Sequence, residues 1–246
     1  MLIAGFDDTT QVPRAEPRPV GAVLFDFSNT IFHSVDTVTW LCATAHRVGT
    51  EMTEATARRL ADELTTAWSL PGVRAAQEGR DLSPERHEAA VVAWARAVPE
   101  LAPMAQALSD ELRAPRSWVP YDDTRPVIAA LRAAGLPVGV VSNIGWDLRG
   151  YFPARGIEVD TFALSCDLGV AKPDPRLFAY ALDGLGADPR DVLMVGDTPD
   201  SDGAAAALGM RVLLLPRGGE LARMRGLDAV LRLVGLNGMD GVRTPR

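Results

Sequence analysis

Hydrophobic residues along this chain follow two patterns, which divide it into segments with different predicted structures. Short apolar runs that end in polar or turn-forming residues predict buried parallel strands, because strands covered on both faces are apolar throughout. Segments with apolar residues at helical spacing lie between most of these runs and predict amphipathic helices. Strands that alternate with helices indicate a parallel sheet with right-handed connections. The predicted strands are 22–25, 136–141, 161–165, 191–195 and 211–215.

The predicted helices of the same α/β part alternate with its later strands. Thr124 begins one of them, and Gly135 ends it, as glycine often does after the last helical turn. These helices are 124–134, a helix that begins near 147, 175–185, 204–208 and 227–234.

A block of about 80 residues interrupts this alternation directly after the first strand. Apolar residues recur at helical spacing in 40–48 and 57–68, and no segment of the block has the pattern of a strand. Ser83 and Pro84 have the form of a helix N-cap followed by proline in the first turn. The block therefore predicts a small bundle of helices inserted into the α/β fold.

The fold class expected from these patterns is α/β, with a Rossmann-like parallel sheet of about five strands and an inserted helical domain. The first residues contain three prolines and few hydrophobic residues, which is typical of a flexible segment. The expected organisation is a flexible arm over 1–19, an α/β core over 20–33 and 114–236, a helical domain over 34–113 and a disordered tail over 237–246.

Composition and charge exclude several classes of function. The net charge of −7 gives no basic surface for nucleic acid or an anionic membrane. No apolar run approaches the roughly 20 residues of a membrane span, and residues 1–19 lack the basic start and apolar centre of a signal peptide. Two cysteines, Cys42 and Cys166, are too few and too far apart for a disulfide framework or a cysteine metal site. These features predict a cytoplasmic protein that binds neither nucleic acid nor membrane.

Polar residues that could carry chemistry follow four of the predicted strands. In an open α/β sheet, functional groups collect just beyond the carboxyl ends of the strands. Taken singly, each group has an ordinary explanation as a helix cap, a turn dipeptide or a surface lysine. Their common position at strand ends favours a shared site, and one of them is the only lysine of the chain. The groups are Asp26, the pair Ser142 and Asn143, Lys172, and the pair Asp197 and Asp202.

These groups belong to four stretches whose order resembles the haloacid dehalogenase-like superfamily of phosphohydrolases. The resemblance extends over roughly residues 20–235 and includes a helical cap inserted after the first stretch. A single stretch of this kind is a weak signal, but four in the right order with the insertion in place are a strong one. The stretches are Asp26-Phe27-Ser28-Asn29-Thr30, Ser142-Asn143, Lys172-Pro173 and Gly196-Asp197-Thr198-Pro199-Asp200-Ser201-Asp202.

The resemblance implies a nucleophile and the groups that surround it. Asp26 would attack the phosphorus of a small phosphorylated substrate and form an aspartyl phosphate, with Thr30 in the same catalytic loop. Ser142 and Asn143 would hold the phosphate or the nucleophile. Lys172 would offset the negative charge that phosphoryl transfer concentrates at this point.

The resemblance also implies a Mg²⁺ cofactor. Mg²⁺ prefers oxygen ligands and binds through one or two carboxylates together with waters. The expected protein ligands are the carboxylates of Asp26 and Asp197 and the backbone carbonyl of Ser28. Asp202 completes the acidic group, where it would orient a metal-bound water or Lys172.

The chain departs from the family's phosphatases at two positions of the first stretch. Their second aspartate, which protonates the leaving group and then activates water, is replaced by Ser28, and their usual glycine by Asn29. A positioned acid or base contributes about 10²–10⁴-fold to rate. Serine cannot supply it near neutral pH, so we expect the greatest loss for substrates with poor leaving groups.

Three functions remain open after this departure. The first is a slow or specialised phosphatase that acts on good leaving groups, and the second is a weakened relative that only binds a phosphorylated ligand or partner. A 2-haloacid dehalogenase is third, because those enzymes need no Mg²⁺ and lack the acidic stretch 196–202. Phosphonate hydrolysis through a cap lysine is excluded, because residues 34–113 contain no lysine. The candidates for substrate recognition or a replacement proton donor are Trp40, Trp68, Arg47, Arg74 and His33.

Overall fold

A computed structural model describes residues 18–216 and 223–236 of this chain. The expected arm, up to residue 17, and the expected tail over 237–246 lie outside the described residues. The strands are β1 (Ala22–Phe25), β2 (Phe32–Ser34), β3 (Trp118–Pro120), β4 (Val138–Ser142), β5 (Thr161–Leu164), β6 (Val192–Gly196) and β7 (Arg211–Leu214). The helices are α1 (Thr37–Arg47), α2 (Glu54–Ala67), α3 (Pro71–Gln77), α4 (Pro84–Arg96), α5 (Ala105–Leu112), α6 (Thr124–Ala133), α7 (Ser165–Leu168), α8 (Pro175–Leu185) and α9 (Asp228–Leu233).

Five of the strands form one parallel sheet in the order β5-β4-β1-β6-β7, which confirms the predicted α/β class. Strand β1 is central, and Val23 pairs with Val138 of β4 on one side and Leu193 of β6 on the other. The carboxyl ends of β4 and β6 therefore flank the residue that follows β1. This arrangement brings the polar groups after three strands to one edge of the sheet.

The two faces of the sheet are covered by separate hydrophobic clusters. Val23 and Phe25 of β1 belong to one cluster, which contains apolar residues of α6 and α9. Ala22 and Leu24 point to the opposite face and belong to the cluster that contains apolar residues of α8. Because side chains alternate between faces along a strand, an apolar strand of four residues supplies both clusters.

Helices α1 to α5 form a block with a hydrophobic cluster of its own. Leu60, Leu64 and Leu108 are fully buried in it. Trp40 is also buried there, and its indole N–H donates to the Leu108 carbonyl at 3.1 Å. The helical content of this block agrees with the sequence pattern, while its role as a separate cap domain stays a prediction.

The structure corrects the predicted elements in three places. Strands β2 and β3, which were not predicted, pair antiparallel at the two ends of the helical block. The sequence did not indicate them because strands of three residues are too short to show an alternating pattern. The helix expected near residue 147 is replaced by two 3₁₀ turns, Arg149–Tyr151 and Pro153–Arg155. The second turn ends at Gly156, whose φ of 63° is left-handed and prevents a longer helix. The predicted helix 204–208 is a 3₁₀ segment, Gly203–Leu208.

Among the described residues, no helix combines the length and the apolar character needed to cross a bilayer.

Candidate active site

The candidate active site begins where the central strand ends. Asp26 follows β1, is 7% exposed, and donates its backbone N–H to the Val195 carbonyl of β6 at 2.8 Å. The chain then turns tightly, and the N–H groups of Ile31 and Phe32 both donate to the Phe27 carbonyl, at 3.1 and 3.0 Å. This turn places the Thr30 hydroxyl 3.3 Å from Oδ2 of Asp26.

Lys172 is buried beneath this carboxylate and is held by three hydrogen bonds. Its ammonium group donates to Asp26 Oδ1 at 2.6 Å, to Asp202 Oδ1 at 2.6 Å and to the Val141 carbonyl at 3.0 Å. An ammonium group has three protons, so every donor of this buried cation has a partner. The only lysine of the sequence therefore binds two of the predicted carboxylates.

Asp202 connects this lysine to the loop that follows β6. Its Oδ2 accepts the backbone N–H groups of Asp197 and Thr198, each at 3.0 Å. The carboxylate lies directly over Gly196, where a Cβ atom would meet Asp202 Oδ2 at 2.2 Å. Glycine at this position therefore gives the carboxylate room to bind both N–H groups. Both oxygens of Asp202 already accept N–H groups of the protein, and its expected role at the metal site or in orienting Lys172 stays a prediction.

The pair after β4 is placed at the same edge of the sheet, but its two members differ in their contacts. The Ser142 hydroxyl is buried without a hydrogen-bond partner among the described residues. The Asn143 side chain binds the backbone of Lys172, accepting its N–H at 2.7 Å and donating to its carbonyl at 3.0 Å. Asn143 thus positions the lysine, a role that the sequence did not indicate.

Asn29 adopts the conformation that explains why glycine is usual at this position. Its φ is 56°, the one left-handed value of a non-glycine residue in the described chain. Asparagine tolerates this conformation better than most residues, because its short polar side chain can bond locally. The departure at Asn29 therefore preserves the turn. Ser28 precedes it and is partly buried, and its carbonyl accepts no hydrogen bond from the described residues.

Burial and the neighbouring charges set the ionisation of the central pair. Burial raises the pKa of Asp26 to about 6; the Lys172 ammonium opposes this rise, and the charges of Asp202 and Asp197 add to it. Burial alone would lower the pKa of Lys172, but the carboxylates of Asp26 and Asp202 reverse this and raise it. Lys172 therefore stays protonated near neutral pH.

The acidic residues of this edge fit a divalent cation. Asp26, Asp197 and Asp202 each offer a carboxylate oxygen, and these oxygens lie within 4.8 Å of one another. Within residues 18–216 and 223–236, Asp26 Oδ2 and the Asp197 carboxylate receive only hydroxyl donors, from Thr30 and Thr198. Oxygen ligands from two carboxylates match the preference of Mg²⁺.

The remaining candidates of the sequence in the helical block have contacts within that block or are exposed. Trp40 is in the core of the helical block, and Arg47 forms an ion pair with Glu111 at 3.2 Å. Trp68 is exposed, and the centre of its ring lies 5.6 Å from the guanidinium carbon of Arg80. Arg74 is exposed.

His33 lies next to a group of residues that the sequence did not suggest. Its Nδ1 pairs with the Ser34 carbonyl at 2.9 Å, and its ring centroid is 4.9 Å from that of Tyr121. Tyr121 in turn contacts Arg225, whose Nε donates to the Asn29 carbonyl at 2.6 Å. No spacing or motif of the sequence pointed to Arg225, because 196 residues separate it from Asn29.

Comparison with known proteins gives one family for this fold and site. The family model of haloacid dehalogenase-like hydrolases matches residues 20–209. A phosphoserine phosphatase of Thermus thermophilus is 31% identical over 170 residues, which cover 67% of this chain and 67% of that protein. Alignments with further curated relatives are shorter and span 44 to 48% of those proteins.

Solved structures give the same fold. The crystal structure of a dehalogenase with an intermediate complex has a TM-score of 0.62 and 20% identity, and the match covers 89% of this chain and 99% of that one. A phosphatase from Thermococcus onnurineus has a TM-score of 0.56 and 22% identity, with 87% and 97% covered. Similarity at this level of identity shows the fold alone.

Proposed function

The chain belongs to the haloacid dehalogenase-like hydrolases, and from this premise we propose that it is a Mg²⁺-dependent phosphatase with Asp26 as nucleophile. Its substrates would be small phosphorylated molecules with good leaving groups, such as acyl phosphates, and a cytoplasmic location stays part of the proposal. The observation that supports this most directly is the double ion pair of Lys172, which holds one oxygen of Asp26 beside a group of three carboxylates whose oxygens lie within 4.8 Å of one another.

Asp26, Asp197 and the Ser28 carbonyl would hold Mg²⁺, which supplies positive charge that neutralises phosphoryl oxygens. The leaving-group oxygen would take the electron pair of the broken P–O bond and depart as an anion, because Ser28 supplies no proton to it. A carboxylate oxygen of Asp26 attacks phosphorus, the bond between phosphorus and the leaving group breaks, and an aspartyl phosphate forms. With an acyl phosphate the leaving group departs as a carboxylate, which needs no proton.

Hydrolysis of the aspartyl phosphate completes the reaction. Water attacks phosphorus, the bond to Asp26 breaks, and the protons of the water remain on the released phosphate. Ser28 has no pKa near 7 and cannot take a proton from this water. We therefore expect this second step to be slow, and the phosphorylated protein to accumulate during turnover.

The test compares leaving groups with and without metal. Acetyl phosphate and O-phosphoserine are offered to the wild-type protein, with Mg²⁺ or with a chelator. Phosphoserine has a poor leaving group and is the substrate named for the relative in Thermus thermophilus. We expect Mg²⁺-dependent hydrolysis of acetyl phosphate, much slower hydrolysis of phosphoserine, and no activity in Asp26→Asn.

Asp197→Asn tests the metal ligand, and Asp200→Asn is its matched control because Asp200 is exposed in the same loop. The first change should raise the Mg²⁺ concentration for half-maximal activity, and the second should leave it unchanged. Equal metal dependence in both variants would contradict the assignment of Asp197.

Replacement of the usual acid by Ser28 favours a second candidate function. A protein of this kind would bind a phosphorylated ligand through Lys172 and the acidic residues without turning it over. It predicts Mg²⁺-dependent binding of phosphate or of beryllium fluoride with no hydrolysis of either substrate. Dehalogenation remains third and predicts halide release from a 2-haloacid in the presence of the chelator.

A further inference from the structure

Arg225 lies outside the residues that the family model matches, yet it contacts the catalytic loop. The residue is 8% exposed, and its Nε donates to the Asn29 carbonyl at 2.6 Å. Its guanidinium carbon lies 5.8 Å from the centre of the Tyr121 ring. Its Nη2 is buried and has no hydrogen-bond partner among the described residues.

The backbone around Arg225 is fixed independently of this side chain. The fully buried carboxylate of Asp123 accepts the backbone N–H groups of Arg225, Gly226 and Leu227 at 2.9, 2.7 and 2.8 Å. The neighbouring Thr124 hydroxyl donates to the Ile31 carbonyl of the catalytic loop at 2.7 Å. A change of the Arg225 side chain therefore leaves the anchor of this segment in place.

The contact of Arg225 bears on the direction of the Ser28 carbonyl. The N–H of Asn29 donates to the Phe32 carbonyl at 2.6 Å, and its C=O accepts from Arg225, so both peptides around Asn29 are held. The first of these peptides contains the Ser28 carbonyl itself. The left-handed φ of 56° at Asn29 is thereby fixed from both sides.

We propose that Arg225 is a positioning residue that fixes the Ser28–Asn29 turn and so directs the Ser28 carbonyl to the metal site of Asp26 and Asp197. The inference rests on the proposed function for its metal, but the contact itself does not. A buried guanidinium with an unpartnered nitrogen and no carboxylate within ion-pair distance among the described residues is costly to keep. Packing on Tyr121 alone would be served by an apolar side chain of similar length.

Three variants distinguish positioning of the Ser28–Asn29 turn from mere packing on Tyr121. Arg225→Met keeps the length and the packing on Tyr121 but removes the donors, whereas Arg225→Lys restores one donor and the charge. Arg223→Met is the matched control, because Arg223 is an exposed arginine of the same segment whose side chain is 85% exposed.

The first measurement is backbone hydrogen exchange in the metal-free protein. Loss of one hydrogen bond is worth about 1 kcal/mol, so exchange of the amides of 29–32 in Arg225→Met should become about five- to tenfold faster. Exchange in β1 and β6 should stay unchanged, Arg225→Lys should restore part of the protection, and Arg223→Met should match the wild type. Equal acceleration throughout the sheet would show a merely structural role and overturn the proposal.

The second measurement is the Mg²⁺ dependence of acetyl phosphate hydrolysis. Loss of a group that orients a metal ligand lowers metal affinity by about 10–100-fold, so Arg225→Met should raise the half-saturating Mg²⁺ concentration by about this factor. The kcat at saturating Mg²⁺ should change far less. Unchanged Mg²⁺ dependence in a folded Arg225→Met would overturn the proposal. If the wild type shows no Mg²⁺-dependent hydrolysis, the proposed function fails, while the exchange measurement still decides whether Arg225 holds the turn.

Discussion

Nζ of Lys172 lies 2.6 Å from Oδ1 of Asp26, although 146 residues separate them in the chain. The same ammonium group binds Asp202 at the same distance, so one buried cation compensates two buried carboxylates. Removing one member of such a group leaves buried charge without a partner, which is strongly unfavourable. The ionisation of Asp26 therefore depends on Lys172.

We predict that Lys172→Met abolishes most of the activity. Without the ammonium group, burial and the two neighbouring carboxylates raise the pKa of Asp26 further, and positive charge beside the phosphoryl group is lost. Loss of one such stabilising group costs about 10²–10³-fold in kcat. Steady-state hydrolysis of acetyl phosphate measures the effect, and Arg176→Met, whose side chain is 73% exposed, is the control. Wild-type kinetics in Lys172→Met would remove this residue from the site.

Mg²⁺ binding should weaken as the pH falls below about 6. The pKa of Asp26 in the metal-free protein is raised to about 6, chiefly by burial, so the carboxylate is charged above this pH and protonated below it. A cation that needs the charged form must then displace one proton, and the half-saturating Mg²⁺ concentration should rise up to about tenfold for each pH unit below 6. Calorimetric Mg²⁺ titrations of the metal-free protein between pH 5 and 8, a range that spans the raised pKa of Asp26, would test this. A flat dependence would show that Asp26 is not a ligand.

Restoring the missing acid should widen the range of substrates. We predict that Ser28→Asp combined with Asn29→Gly accelerates O-phosphoserine hydrolysis by about 10²-fold or more, because the new carboxylate can protonate the leaving group. Acetyl phosphate should gain less in its first step, since its leaving group needs no proton. Lifetimes of the phosphorylated protein should shorten, because the carboxylate also activates water.

The single variants Ser28→Asp and Asn29→Gly complete this comparison. Because Asn29 already adopts the left-handed φ of 56°, Ser28→Asp alone should recover most of the gain. Rapid wild-type hydrolysis of O-phosphoserine would show that another group already supplies the proton. Phosphate binding without turnover in every variant would favour the binding protein instead.

Gly145 should be required for contact between the helical block and the loop after β4. A Cβ atom at this position would lie 2.4 Å from Cβ of His87 on α4. We predict that Gly145→Ala lowers the free energy of unfolding by about 1–3 kcal/mol, the usual cost of overpacking. Gly150→Ala, which would meet nothing within 4 Å, should be close to neutral. Denaturant unfolding measures the free energy of unfolding of both variants. Equal values would show that the helical block accommodates the added methyl group, and would contradict the prediction.

The sequence by itself determined the sheet and the position of most of the site. Buried parallel strands such as β1 and β6 are apolar throughout, and a turn follows each, so local pattern was enough to identify them. The same sheet geometry brings the groups that follow β1, β4 and β6 to one edge. Asp26, Asn143 and Asp197 could therefore be assigned to one place before any distance was known, while Lys172 joined them only through the resemblance to the family.

Tertiary structure alone decided how these groups are held. The side chain of Asn143 binds the Lys172 backbone, and Arg225 reaches Asn29 across 196 residues, because loops distant in sequence meet beyond the ends of the strands. The hydrophobic pattern of a sequence indicates which face of a helix or strand is buried. It carries no information on which polar group a loop side chain will bind. The burial of Trp40 within the helical block was decided in the same way by the packing of helices against each other.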